Sequence, residues 1–233
     1  YVINSPKQEA IHQNFKAIYF NQYSDRSKLR LDYNYQISNR KEFDVRRGNR
    51  SAKAAIDLTL KTYDFLGSIQ WKKDFEWNFE WGVNALLQDN FSNPETGVKR
   101  LIPDHQKYQA GTFLTGNYRP SNNFSWEWGF RFDQVIIDAQ KFYDTSNWIS
   151  REYNIRYAEF EQKDFGTQIL TNPRLNFSNI SAQTGFAVGI GESVETTFSY
   201  MLTQRAPNVS ELFSDGLHHS LASIEYGFIG LQK

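Results

Sequence analysis

The sequence predicts an all-β chain: an antiparallel up-and-down sheet of about nine long strands, part of a transmembrane β-barrel. Three observations predict it. Long stretches alternate apolar and polar residues with a period of two, the mark of strands with unlike faces. The connections between those stretches run short, long, short, long along the chain. Aromatic residues reach 16% while all hydrophobic residues together make only 39%. That balance is poor for a soluble core, but it suits strands that turn one face to lipid and the other to a polar lumen.

Phe75–Gln88 shows the pattern most plainly. Phe75, Trp77, Phe79, Trp81, Val83, Ala85 and Leu87 fall on one face. Glu76, Asn78, Glu80, Gly82, Asn84, Leu86 and Gln88 fall on the other. The stretch is longer than the usual strand of about 5–6 residues. Ahead of it, a first strand is expected over Ile11–Tyr23 and a turn at Ser24–Ser27. The second strand is expected from Lys28 to about Arg46. Leu29, Leu31, Tyr33, Tyr35 and Ile37 oppose Arg30, Asp32, Asn34, Gln36 and Ser38. Gly48–Ser51 then reads as a loop. The third strand, about Ala54 to Trp71, has Ile56, Leu58 and Leu60 in one frame and Tyr63, Phe65, Ile69 and Trp71 in the other. This frame change suggests a β-bulge near Lys61–Thr62, or equally marks where the strand leaves lipid.

Phe91–Gln106, with two prolines and a glycine, reads as a long loop. A fifth strand is expected at Tyr108–Tyr118 and a turn at Arg119–Asn123. The sixth starts with Phe124, Trp126, Trp128, Phe130 and Phe132 and continues in a shifted frame through Val135 and Ile137. Asp144–Arg174 has no clear assignment. The seventh strand is expected around Phe177–Ile190, the eighth around Val194–Thr203, and a ninth from near Ser220. Trp71, Trp77, Trp81, Trp126 and Trp128 lie near the short turns, as an interfacial girdle would.

Several classes are excluded or disfavoured. Lys and Arg equal Asp and Glu at 26 each, so there is no basic excess for nucleic acid. There is no cysteine, hence no disulfide scaffold and no thiolate metal site. No run of about 18 apolar residues suggests a transmembrane helix. No nucleophile elbow, phosphate-cradling loop or zinc-protease helix is present. Glu76 and Glu80, with Asn84, Arg30 and Asp32, are expected to line the lumen. Asp104 and His105 are candidate ligand contacts in a loop.

Arg205–Gly227, RAPNVSELFSDGLHHSLASIEYG, carries Arg205, Pro207, Glu211, Leu212, Phe213, Gly216, His218, Glu225 and Gly227. This set resembles a motif of TonB-dependent outer-membrane receptors. Phe43–Arg50 and Phe91–Asp104 also resemble segments of that family. The resemblance implies a 22-stranded barrel plugged by an N-terminal domain, in the outer membrane of a Gram-negative bacterium. It implies uptake of a scarce ligand, commonly a ferric siderophore or other metal complex, energised by the TonB complex through the plug. Residues 1–233 are expected to be one barrel segment, with plug and C-terminal strands outside it and no cofactor of its own. His218 and His219 join the ligand candidates. Adjacent strand residues point to opposite faces, so at most one points inward, and His218 is the candidate metal ligand. Haem receptors of the family show Asn-Pro-Asn-Leu downstream; here Phe228–Leu231 reads otherwise, which speaks against haem. Arg205 and Glu211 are expected to hold the loop after the eighth strand. Two other classes stay open: an outer-membrane barrel enzyme, with Ser220 beside His218 or His219 as its crude nucleophile, and a soluble ligand-binding β domain.

Overall fold

The computed structural model describes residues 7–43, 53–97, 100–190, 193–218 and 223–232. Six long strands run up and down in sequence: β1 (Lys7–Ser24), β2 (Ser27–Phe43), β3 (Ile56–Lys72), β4 (Trp77–Ser92), β5 (Asp104–Ser121) and β6 (Phe124–Asp144). The chain then makes α1 (Thr145–Ser150), α2 (Tyr153–Arg156) and the short strands β7 (Glu161–Asp164) and β8 (Gln168–Thr171). It returns as β9 (Arg174–Ile190) and β10 (Val194–Leu202). Next come α3 (Val209–Phe213), β11 (Asp215–His218) and β12 (Ser223–Tyr226).

Among the described residues the main sheet is ten-stranded and all its pairs are antiparallel. It is not closed: among the described residues β1 pairs only with β2, and β10 only with β9. The ninth expected strand is corrected: β12 has four residues and pairs with β11, outside the main sheet.

The registers build two unlike faces. Ile69, Trp81, Leu114, Phe130 and Ala182 share a row across β3, β4, β5, β6 and β9. Nearer the short turns, Trp77, Tyr118, Trp126, Phe186 and Phe198 form another row. The Trp77 and Tyr118 rings stack at 4.3 Å, and Trp71 stacks on Phe79 at 5.4 Å. Toward the long loops, Tyr35, Tyr63, Leu87, Tyr108 and Ile136 make a third row on the same face. The opposite face carries paired polar groups. Arg30 meets Asp32 at 2.7 Å, Gln70 donates to Glu80 at 3.0 Å, and Asn117 donates to Glu127 at 3.0 Å.

Several local expectations are corrected. No bulge interrupts β3 at Lys61–Thr62; its registers with β2 and β4 run unbroken through both residues. Nor does β6 slip: it keeps one register with β9 from Phe124 to Asp138. The apolar frame changes because the apolar side chains change face. In β6, Phe130 and Phe132 are exposed on the aromatic face, whereas Val135, Ile137, Ala139 and Tyr143 are buried on the other. They pack there with Trp148, Tyr153, Ile169, Leu212, Phe213 and Ile229 from the loop elements. The unassigned stretch 144–174 is thus an ordered cap, whose Trp148 is fully buried.

β4 begins at Trp77, not Phe75. Asp74 Oδ1 accepts from the Glu76 and Trp77 amides at 3.0 and 2.8 Å, closing a turn that holds Glu76 off the strand. The expected loop 91–106 is shorter, because β4 runs to Ser92 and β5 starts at Asp104. β2 is described to Phe43; residues 44–52, with most of the Phe43–Arg50 segment, lie outside the described residues.

Candidate functional site at the loop end of the sheet

The long connections gather at one end of the sheet, and the chain after β10 returns across that end. Arg205 and Glu211 anchor it. The guanidinium donates to both carboxylate oxygens, at 2.8 and 2.7 Å. Glu211 Oε2 also accepts from the Asn208 amide at 2.7 Å, half of a capping box that starts α3. Arg205, and after it the Asn208 amide, hold the Glu211 carboxyl at about 2, well below the usual carboxylate range. Leu212 and Phe213 enter the buried cluster. Gly227 lies against the backbone of both: a Cβ there would fall 2.5 Å from the Phe213 nitrogen. Phe228 N donates to Glu211 O at 2.9 Å, and Gly227 N to Ser214 O at 2.6 Å. Gly216 has φ of 147°, in the region that favours glycine. Pro207 is buried, and Glu225 sits opposite Gly216 in the β11–β12 hairpin. The dispersed motif thereby folds into one knot. Lys141 and Asp215, both buried, face each other at 3.8 Å and tie the knot to β6.

Under this returning segment lies a cavity of about 340 Å³. Leu58, Leu60, Asn90, His105 and Lys107 line it from the sheet, and Val209 from α3. His105 Nδ1 lies 3.0 Å from the Pro103 carbonyl. A carbonyl only accepts, so Nδ1 carries the hydrogen and Nε2 is left as an acceptor in the neutral ring.

The structure treats the sequence candidates unequally. His105 lines the cavity, from β5 and not from a loop. Asp104 does not line it. Its Oδ1 accepts from the Ser92 amide at 2.7 Å, and its Oδ2 meets Arg100 at 2.6 Å, so it closes the base of the β4–β5 connection. Glu80, Asn84, Arg30 and Asp32 lie on the polar face, in register; Glu76 lies in the turn below it. His219 and Ser220, and the side chain of His218, lie outside the described residues. No group of three or more His, Cys, Asp or Glu among the described residues could hold a metal ion.

Sequence reading missed a second polar cluster at mid-sheet. Arg131 meets Asp133 through two contacts of 2.5 and 2.6 Å and donates to Asn84 Oδ1 at 2.8 Å. Gln109 donates to Asp133 at 3.2 Å. The signal was present: an Arg and an Asp two apart on one face, opposite a mid-strand glycine, Gly111.

No protein-family model and no curated protein matches this chain. Solved structures do. The ferric-catecholate import receptor Fiu from E. coli K12 superposes with a TM-score of 0.64 at 10% identity, covering 88% of this chain and 37% of that one. A double mutant of the Serratia marcescens hemophore receptor HasR, in complex with its hemophore HasA and heme, gives 0.62 at 16% identity, covering 97% and 34%. The copper transporter OprC gives 0.51 at 13%, covering 90% and 31%. The chain therefore spans about a third of the length of these structures. Its fold matches part of the β-barrels of these receptors. The matched proteins are named as an import receptor, a hemophore receptor and a transporter.

Proposed function

We propose that this chain is a wall segment of an outer-membrane receptor that imports a scarce ligand with energy delivered by TonB. The aromatic face meets lipid, the polar face lines the lumen, and the loop end meets ligand outside the cell. The plug that would contact TonB lies beyond this chain. A Gram-negative outer membrane follows from the same reading.

The observation that carries it is the spacing of the aromatic rows. Tyr108 and Tyr118 stand ten residues apart on β5, on one face. At about 3.3 Å per residue that is roughly 33 Å of strand, and at a tilt of about 45° roughly 23 Å of height. An outer-membrane barrel shows an apolar band of about 25 Å between aromatic girdles. A sheet packed on one soluble core has no reason to ring its exposed face with tryptophan and tyrosine at that separation.

Cargo is read here as a metal complex, with a ferric siderophore first. The three similar structures are named for ferric catecholate, heme and copper, so the cargo is to be tested across that range. Cells making the full-length protein are given radiolabelled ferric catecholate, haem and copper, with and without TonB. The reading expects uptake of one of them that stops when TonB is lost. Uptake that persists without TonB, or a protein that does not fractionate with the outer membrane, would overturn it.

A further inference from the structure

We infer that the cavity beneath α3 binds a small organic carboxylate with an apolar body and a neighbouring hydroxyl. This rests on the receptor reading and names a ligand chemistry for one of its sites.

Lys107 carries the inference. Its side chain is half-buried in the cavity wall and makes no hydrogen bond or ion pair among the described residues. Asp104 stands three residues before it, and Asp89 lies across the strand pair opposite Gln106. Asp104 is taken up by Arg100 and the Ser92 amide, and Asp89 accepts from Gln106 on the aromatic face of β5. Arg40 also lines the cavity, and its charge is shared with Glu42. Among the described residues, no carboxylate lines the cavity. Taking an ammonium partly out of water without a counter-charge is costly, and an anionic ligand relieves that cost.

The other walls select the rest of the ligand. Leu58, Leu60 and Val209 are apolar and favour a hydrocarbon body over inorganic phosphate. His105 offers Nε2 as an acceptor, which suits a hydroxyl on the ligand. Asn90 has its amide hydrogens turned to the Pro103 carbonyl at 3.1 Å, which holds the wall in place. The volume of about 340 Å³ is at the small end for ligand pockets.

The test uses the full-length protein in detergent, with salicylate as probe and phosphate as the comparison anion, read by calorimetry. Salicylate is expected to bind, with affinity lowered at least about tenfold in Lys107→Met and largely retained in Lys107→Arg, since an unpaired cation is the main recognition element. His105→Phe is expected to lower it severalfold. Each variant is first checked for outer-membrane fractionation and heat-modifiable migration. Assembled wild type that fails to bind salicylate, or Lys107→Met that binds it unchanged, overturns the site and leaves the receptor reading standing. Phosphate binding as tight as salicylate overturns the apolar part of the inference. A protein that never reaches the outer membrane overturns both.

Discussion

Asp133 lies over Gly111 on the neighbouring strand, and a side chain on the glycine would occupy the place of the carboxylate. A Cβ there would overlap Asp133 Oδ1 and stand 2.7 Å from Asn84 Oδ1. Neither oxygen can yield cheaply, because Arg131 and Gln109 hold the first and Arg131 the second. Gly111→Ala is therefore expected to destabilise the sheet by about 1–3 kcal/mol, the usual cost of overpacking. Gly129→Ala provides the control: its nearest neighbours are the flexible Gln183 side chain and the Thr115 methyl, both at 3.3 Å. Heat-modifiable migration on gels checks this. Equal melting of the two variants would contradict it.

Arginine at mid-depth should separate the two faces. Leu114 lies on the aromatic face and Thr115 on the polar one. Leu114→Arg is expected to cost about 2–4 kcal/mol in a bilayer, and Thr115→Arg far less. Assembly yield in the outer membrane measures the difference, and similar losses at both positions would refute the assignment of faces.

The Arg205–Glu211 pair gives a pH dependence of known sign. The folded-state carboxyl sits at about 2, below its ordinary value of 4.5. Its contribution to holding the returning segment is complete above about pH 4.5. It fades as pH falls from there toward 2, as the carboxyl takes up a proton. Limited proteolysis of residues 203–232 with an acid-tolerant protease is expected to speed up over that window. Glu211→Gln should be cut faster at pH 7 and show little change with pH. A wild-type profile that is flat down to pH 3 would contradict the pairing.

Trp148 should matter to the cap and little to the barrel wall. It is fully buried and touches Tyr143 and Tyr153, with ring centroids at 5.0 and 5.4 Å. Trp148→Ala is expected to cost about 3–5 kcal/mol, seen as protease nicking within 145–171 while the protein still inserts. Loss of insertion would show that the cap is needed for the sheet to form.

The sheet was legible because a strand with unlike faces writes its period directly into the chain, as in Trp77–Leu87. What misled was the assumption that apolar residues mark one face throughout. Ile137 and Leu58 are as apolar as Phe130 and Ile69, yet they point the other way, under the cap and the returning segment. Periodicity cannot separate a bulge from a change of environment; only the unbroken register does. The helices of the cap are too short to show a helical period, and their core joins Trp148 to Phe213 and Ile229 from distant parts of the chain. His105 was visible as a candidate, but Lys107 gained meaning only when its missing partner could be seen. Gly227 stood out in the motif, while the reason for it, contact with the Leu212–Phe213 backbone, is a matter of packing.

Contact of the aromatic face with lipid can be read residue by residue along β5. The chain has no cysteine, so single cysteines from Gln109 to Thr115, leaving out Gly111, can be spin-labelled in the full-length protein in bilayers. Collision rates with oxygen and with a water-soluble nickel chelate are then compared. Labels at 110, 112 and 114 are expected to favour oxygen, and those at 109, 113 and 115 are not. A profile without that two-residue period, or with the chelate favoured at 110, 112 and 114, would contradict it.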